Sequence, residues 1–180
     1  MIGTYFEKMK GGAKIPPGLP LLEVLWSWLG AFTGIGLCGY LSALYFEPRD
    51  LTLIIGSFGA SAVLIYGAVR SPFAQPRNLI GGHVISALIG VACFKLFGET
   101  PWIASAFAVS FAIAAMLVTK TVHPPGGATA LIAVVGGRKI QDLGFLYAFI
   151  PAGAGALILL ITALLVNNLS KNRRYPDYWI

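Results

Sequence analysis

Charge is scarce in this chain. Only 11% of its 180 residues are Asp, Glu, Lys or Arg, while 57% are hydrophobic. A water-soluble domain carries about a quarter of its residues as charge. The shortage excludes an ordinary soluble fold and points to a single-domain integral membrane protein. Cysteine is equally scarce: Cys38 and Cys93 both lie inside apolar stretches and read as small buried hydrophobes. His83 and His123 are the only two histidines, and no Cys or carboxylate accompanies them at ligand spacing. A metal site is therefore not expected, and a bis-histidine metal or haem centre stands as the alternative that these two residues leave open. A nucleophile–base motif, a dinucleotide fingerprint and a Walker loop are all missing, so the chain reads as no enzyme and implies no cofactor. The net charge of +6 is scattered over loops and termini, without a basic stripe or aromatic platform, which excludes nucleic acid as a partner. The N-terminus does not read as a cleavable signal peptide, because Pro16, Pro17 and Pro20 separate Lys8, Lys10 and Lys14 from the first apolar stretch.

What is present is apolar. Uncharged stretches cover residues 24–46, 51–69, 79–94, 101–119, 121–137 and 143–170. Each is near the roughly 17–25 residues that cross hydrocarbon as a helix. The sequence therefore predicts an all-α membrane protein with six hydrophobic elements. The second and fifth are glycine-rich and read as interrupted or half-helix-like. Residues 1–20 form an N-terminal arm, 21–170 the transmembrane domain, and 171–180 a basic and aromatic tail at the interface. If all six elements cross, Lys8, Lys10, Lys14, Arg70, Arg77, Lys120, Lys171, Arg173 and Arg174 share one side, against Arg49, Lys95, Arg138 and Lys139. That is 9 to 4, which puts both termini in the cytoplasm. If elements two and five only dip in and return, the count is 7 to 6 and carries almost no bias.

Gly59-Ala60-Ser61-Ala62-Val63-Leu64 nearly repeats as Gly127-Ala128-Thr129-Ala130-Leu131-Ile132. Each copy follows one long apolar stretch and precedes another, which divides the domain into repeats 24–98 and 101–168. Three elements is an odd number, so the second copy would be inverted relative to the first. Inverted repeats with broken helices are a transporter plan whose site lies near the midplane. The plainer reading is that Gly, Ala and Ser recur at membrane helix contacts because they allow close approach.

His123-Pro124-Pro125-Gly126-Gly127 interrupts the fifth stretch. The prolines break a helix and suit the first turn of a new one. Pro124 and Pro125 therefore have a structural role. The amides of Gly126, Gly127 and Ala128 would stand free at a positive helix end, which is an anion site, with the Thr129 hydroxyl one position on. Ser57, Gly59 and Ser61 make a weaker version in the first copy. His123 has two readings: a surface residue beside Lys120, or a hydrogen-bond donor or proton carrier in a pathway. His83 shares a face with Ser86 and Gly90, suited to packing or to lining a pore. Asn78 is placed as an N-cap of the third helix. Arg77 either snorkels to headgroups or attracts anions at a pore mouth. Gly30, Gly34, Gly153 and Gly155 would let helices pack closely.

These motifs together resemble the HPP family of integral membrane proteins. The likeness rests on His123-Pro124-Pro125-Gly126-Gly127-Ala128-Thr129-Ala130, Gly56-Ser57-Phe58-Gly59-Ala60-Ser61-Ala62, Ser71-Pro72-Phe73-Ala74-Gln75-Pro76-Arg77-Asn78, Gly81-Gly82-His83 and Tyr175-Pro176-Asp177-Tyr178-Trp179. The family is described as having four spans, and members in cyanobacteria and plastids are associated with nitrite transport. The resemblance implies a transporter or channel for nitrite or a similar small anion, with or without protons, in a bacterial cytoplasmic (inner) membrane. The lipid bilayer is its surroundings, and a homo-oligomer suits so short a chain. A non-transporting sensor or scaffold module is the rival.

Overall fold

In the computed structural model, residues 7–9, 13–49 and 51–180 are described; parts of the N-terminal arm, Lys10 included, lie outside the described residues. All regular structure among the described residues is helical. Four helices are long and apolar enough to cross a membrane: α1 (Leu21–Arg49), α3 (Pro76–Phe97), α4 (Pro101–Val118) and α6 (Gly144–Asn167). Two shorter apolar helices complete the set, α2 (Ser57–Gly67) and α5 (Pro124–Val135). The six apolar stretches thus become four long helices and two short ones. The 12 residues of α5 rise only about 18 Å, against roughly 30 Å of hydrocarbon. A non-helical segment leads into each short helix, 51–56 before α2 and 121–123 before α5.

Proline sets where helices begin. Pro76, Pro101 and Pro124 each stand at the first position of α3, α4 and α5, where a missing N–H costs nothing. Departures from α geometry mark the other helices. α1 passes through a π turn at Ser42–Phe46 into a 3-10 turn at Glu47–Arg49, α2 ends in a π turn at Val63–Gly67, and α6 is interrupted at Ile150, whose backbone is extended.

Hydrogen bonds tie specific ends together. At one end of the bundle, Arg173 Nε donates to Glu23 Oε2 at 2.7 Å and its Nη1 donates to Tyr66 O at 3.0 Å. Asn167 Nδ2 donates to Ile65 O at 2.9 Å. The start of α1, the finish of α2 and the finish of α6 therefore meet there. At the other end, a cleft of about 580 Å³ brings together Glu47, Gly56, Gly136 and Lys139. α2 starts and α5 finishes at that cleft, so the two short helices run antiparallel.

Packing is close where glycine permits it. A Cβ on Gly34 would lie 2.1 Å from Tyr66 Oη, and one on Gly30 would lie 2.4 Å from Tyr66 Cδ1. A Cβ on Gly155 would lie 2.1 Å from Phe58 Cε2. The two rings, both fully buried, thus sit in grooves that only glycine leaves open. On the other flank, Ala104, Ala108 and Ala112 of α4 pack with Cys93 of α3 and Ala130 and Val134 of α5.

The tail packs on the bundle. Tyr175 is buried and its hydroxyl donates to Ala74 O at 2.7 Å. Asp177 N donates to Gln75 Oε1 at 2.8 Å, and Tyr178 Oη donates to Pro72 O at 3.1 Å. The tail is a strap across the loop between α2 and α3.

Candidate functional site

The site begins with the break before α5. A residue that precedes proline is pushed out of the helical region, and His123 is extended, with φ −139° and ψ 103°. This carries the imidazole inward, and His123 is completely buried. The reading of His123 as a surface residue is thereby overturned. Two neighbours on α3 hold the incoming segment: Asn78 Nδ2 donates to Val122 O at 2.8 Å, and Arg77 Nη2 donates to Thr119 O at 2.9 Å. Glycine makes room for it. A Cβ on Gly82 would lie 2.5 Å from His123 Cβ, and one on Gly81 would lie 2.6 Å from Thr121 Cγ2.

Five polar side chains from three elements converge here, each 0% or 1% exposed: Ser57 and Ser61 of α2, His83 of α3, and His123 and Thr129 at the start of α5. Ser61 Oγ lies 2.7 Å from His83 Nε2 and 2.9 Å from His123 Nε2. Thr129 Oγ1 lies 2.7 Å from His83 Nδ1 and 2.9 Å from Ser57 Oγ. His123 Nδ1 lies 2.7 Å from Phe73 O, on the loop that the tail straps down. The imidazole rings are 5.0 Å apart, and Phe58 closes the other side of His83 edge-on at 5.2 Å.

The chemistry of the partners fixes the protons. Phe73 O only accepts, so His123 Nδ1 carries hydrogen and, in the neutral ring, His123 Nε2 accepts. Ser61 must then spend its one hydroxyl proton on His123 Nε2. It follows that Ser61 Oγ accepts from His83 Nε2–H. His83 Nδ1 in turn accepts from Thr129, which must turn its hydrogen from Ser57 Oγ, towards which it is aimed, so that Ser57 then donates to Thr129. With both rings neutral, this arrangement satisfies all four ring nitrogens, while Ser61 Oγ also has Ser57 O at 3.3 Å and Thr129 Oγ1 has Pro125 O at 3.2 Å as alternative acceptors. All four ring nitrogens are engaged, so a metal or haem ligated by these histidines would first have to break the network.

Other residues from the sequence reading stand apart. Gly126 N–H, expected free, donates to His123 O at 2.8 Å. Gly127 and Ala128 face the opposite way, into an apolar groove with Val109, Ile113 and Leu131. Helix geometry explains the split: Pro125, Gly126, Thr129 and Ala130 are buried, whereas Gly127 and Ala128 turn outward. Gly59 is exposed and has nothing within 4 Å of where its Cβ would be. Asn78 does not cap α3, which starts two residues earlier with Gln75 at the cap position. Arg77 is exposed, and its Nη2 donates to the Thr119 carbonyl.

Sequence reasoning missed the Phe73 carbonyl, which has no side-chain signal. It also missed Tyr147, whose hydroxyl donates to Thr129 O at 3.0 Å. Arg173, in sequence one more positive-side charge, also donates to Ser27 Oγ, Asn167 Oδ1 and Glu23 O.

The chain matches the family described as HPP, transmembrane region, over residues 16–176, and it belongs to that family. Two transmembrane proteins of Dictyostelium discoideum are similar to it. One is 47% identical over 179 residues, which is 97% of this chain and 57% of the relative. The other is 46% identical over 183 residues, which is 97% of this chain and 63% of the relative. The chain therefore spans less than two thirds of the length of these curated relatives. No solved structure matches it.

Proposed function

We propose that this HPP-family membrane protein moves a small inorganic anion, with nitrite the first candidate, along the contact between α2 and α5. The observation that carries the reading is the buried cluster of Ser57, Ser61, His83, His123 and Thr129 inside an apolar bundle. Polar and ionisable groups are expensive at membrane depth and mark ion or substrate paths there. Two short helices that meet inside a bundle are the other recurrent mark of such sites.

The arrangement supports the inverted-repeat reading. Ser61 and Thr129 hold matching positions in the two copies, and each bonds a histidine. Each short helix, with its extended lead, would complete one crossing, which gives six crossings with both termini cytoplasmic.

The cluster would be the closed middle of the path, with an approach at each end. The cleft of about 580 Å³ reaches Gly56, at the positive end of α2, and includes Lys139. A second cleft, of about 500 Å³, lies beyond the finish of α2 and is lined by Arg70, Arg173 and Arg174. The second, with three arginines against Glu23, would gather anions. The Ser57, Ser61 and Thr129 hydroxyls and the His83 and His123 rings would replace part of the anion's water once the cluster opens.

Flux in proteoliposomes tests the reading. Nitrite, nitrate, formate and chloride would each be offered to vesicles with and without protein. Uptake of nitrite above the empty-vesicle rate supports the proposal, and no uptake of any of the four refutes it.

A further inference from the structure

We propose that Ser57–Thr129–His83–Ser61–His123 is a proton relay linking the cleft at the start of α2 to the Phe73 loop at the opposite end. The inference deepens the transport reading and rests on it only for the cargo that a proton would accompany. Its basis is that one neutral hydrogen-bond pattern satisfies all four ring nitrogens. Every member is fully buried or nearly so, and every link is between 2.7 and 2.9 Å.

The network has a second state that differs from the first by one proton. In the neutral state the donors all point one way: Ser57 to Thr129, Thr129 to His83 Nδ1, His83 Nε2 to Ser61, Ser61 to His123 Nε2, and His123 Nδ1 to Phe73 O. A proton delivered from water to Ser57 Oγ displaces the Ser57 hydrogen to Thr129. The Thr129 hydrogen passes to His83 Nδ1, the His83 Nε2 hydrogen to Ser61, and the Ser61 hydrogen to His123 Nε2. Each oxygen ends with one hydrogen, as it began, and His83 remains neutral as its other tautomer. The single added charge rests on His123, which now donates from both nitrogens. Thr129 can then turn its hydrogen to Pro125 O, 3.2 Å away. Transfer of the His123 Nδ1 hydrogen to water that reaches the part-buried Phe73 side completes the passage, and rotation of the hydroxyls and rings resets it.

The surroundings suit a charge that lodges on one ring and leaves. The sequences of α2, α3 and α5, and of segments 71–75 and 119–123, contain no carboxylate to trap it. Titratable groups on the elements around the cluster are otherwise engaged or turned away. Arg77 is bonded to Thr119 O, Lys120 is exposed, Tyr147 is bonded to Thr129 O, Tyr66 Oη donates to Leu159 O, and Cys93 packs among the alanines of α4. Lys95 lies over the Phe145 ring, near the far end of α3.

Each end of the relay, itself buried, lies beside a residue at the surface. Ser57 follows Gly56, which lines the larger cleft. Phe73 is 41% exposed and sits on the loop held by the tail.

The test uses the full chain in proteoliposomes carrying an internal pH dye, with wild type beside Ser61→Ala. One arm applies a nitrite gradient and also measures internal nitrite chemically. The other applies a potassium diffusion potential with no nitrite present. The relay predicts internal acidification beyond that of empty vesicles, lowered at least about tenfold by Ser61→Ala. Nitrite that enters without protons, or a Ser61→Ala protein that acidifies like wild type, overturns the relay and leaves the anion reading standing. Protons that follow the potential while nitrite stays outside support the relay and overturn the nitrite reading. Neither movement overturns both. Should Ser61→Ala fail to fold, nitrogen-15 NMR of histidine-labelled wild type decides the matter. The relay expects His123 protonated at Nδ1 and His83 at Nε2 near neutral pH, with His123 the first to become imidazolium on acidification. Two rings of the same tautomer overturn it.

Discussion

His83 and His123 point their Nε2 atoms at the same oxygen, Ser61 Oγ, at 2.7 and 2.9 Å. One hydroxyl has one proton, so the two rings are unequal: one donates to Ser61 and the other accepts from it. Their energetics are therefore coupled. Removing either imidazole by alanine leaves Ser61 half-satisfied and the other ring poorly held. The double variant His83→Ala/His123→Ala is expected to cost less than the sum of the singles, by about 1 kcal/mol or more. Thermal or denaturant unfolding in detergent measures the cycle, and strict additivity would separate the two residues.

Asn78 distinguishes a cap from a tie. An N-cap would accept Asp as readily as Asn. Here the side-chain amide donates to Val122 O, and an aspartate has no hydrogen to give. Asn78→Asp is expected to destabilise by about 2 kcal/mol, more than Asn78→Ala, because it sets a carboxylate against a carbonyl. Equal stability of Asp and Asn would restore the capping role.

Glycine contacts give a graded prediction. Gly34→Ala and Gly155→Ala place a methyl 2.1 Å from the Tyr66 hydroxyl oxygen and the Phe58 ring. Overpacking of this kind costs about 1–3 kcal/mol. Gly36→Ala, with nothing within 4 Å, should change stability by less than about 0.5 kcal/mol. The three melting curves are compared in one detergent, and a Gly36 effect as large as the other two would contradict the packing account.

Arg173 joins α1, α2 and the end of α6 through Glu23, Ser27, Tyr66 and Asn167. Lysine lacks the planar fork that reaches all four. Arg173→Lys should lose most of what Arg173→Ala loses, about 2 kcal/mol or more, despite the kept charge. Retention of wild-type stability by the lysine variant would show that charge alone suffices.

The sequence makes some of this plain and hides the rest, for physical reasons. Proline and glycine act locally, so the break at Pro124-Pro125 and the short fifth helix can be read directly. Shortage of charge over 180 residues likewise settles the membrane class. The histidine pair is not local. It depends on Gly81 and Gly82 seating the segment before His123 against α3, and on α2 bringing Ser61 between the rings. Which glycines near a helix start face inward is also a matter of packing: Gly126 is buried while Gly59 is exposed and Gly127 lines an outer groove. Arg173 looks like any basic residue beyond a membrane helix until its four partners are brought to it.

The central claim is that a small anion crosses at the buried cluster of α2, α3 and α5. Its most direct measurement is initial nitrite uptake into proteoliposomes by wild type and by His123→Ala, each first shown to be folded and monodisperse. The account predicts uptake by wild type above empty vesicles and a loss of about tenfold or more in the variant. Wild-type vesicles that take up no more nitrite than empty ones, or a variant that matches wild type, would contradict it.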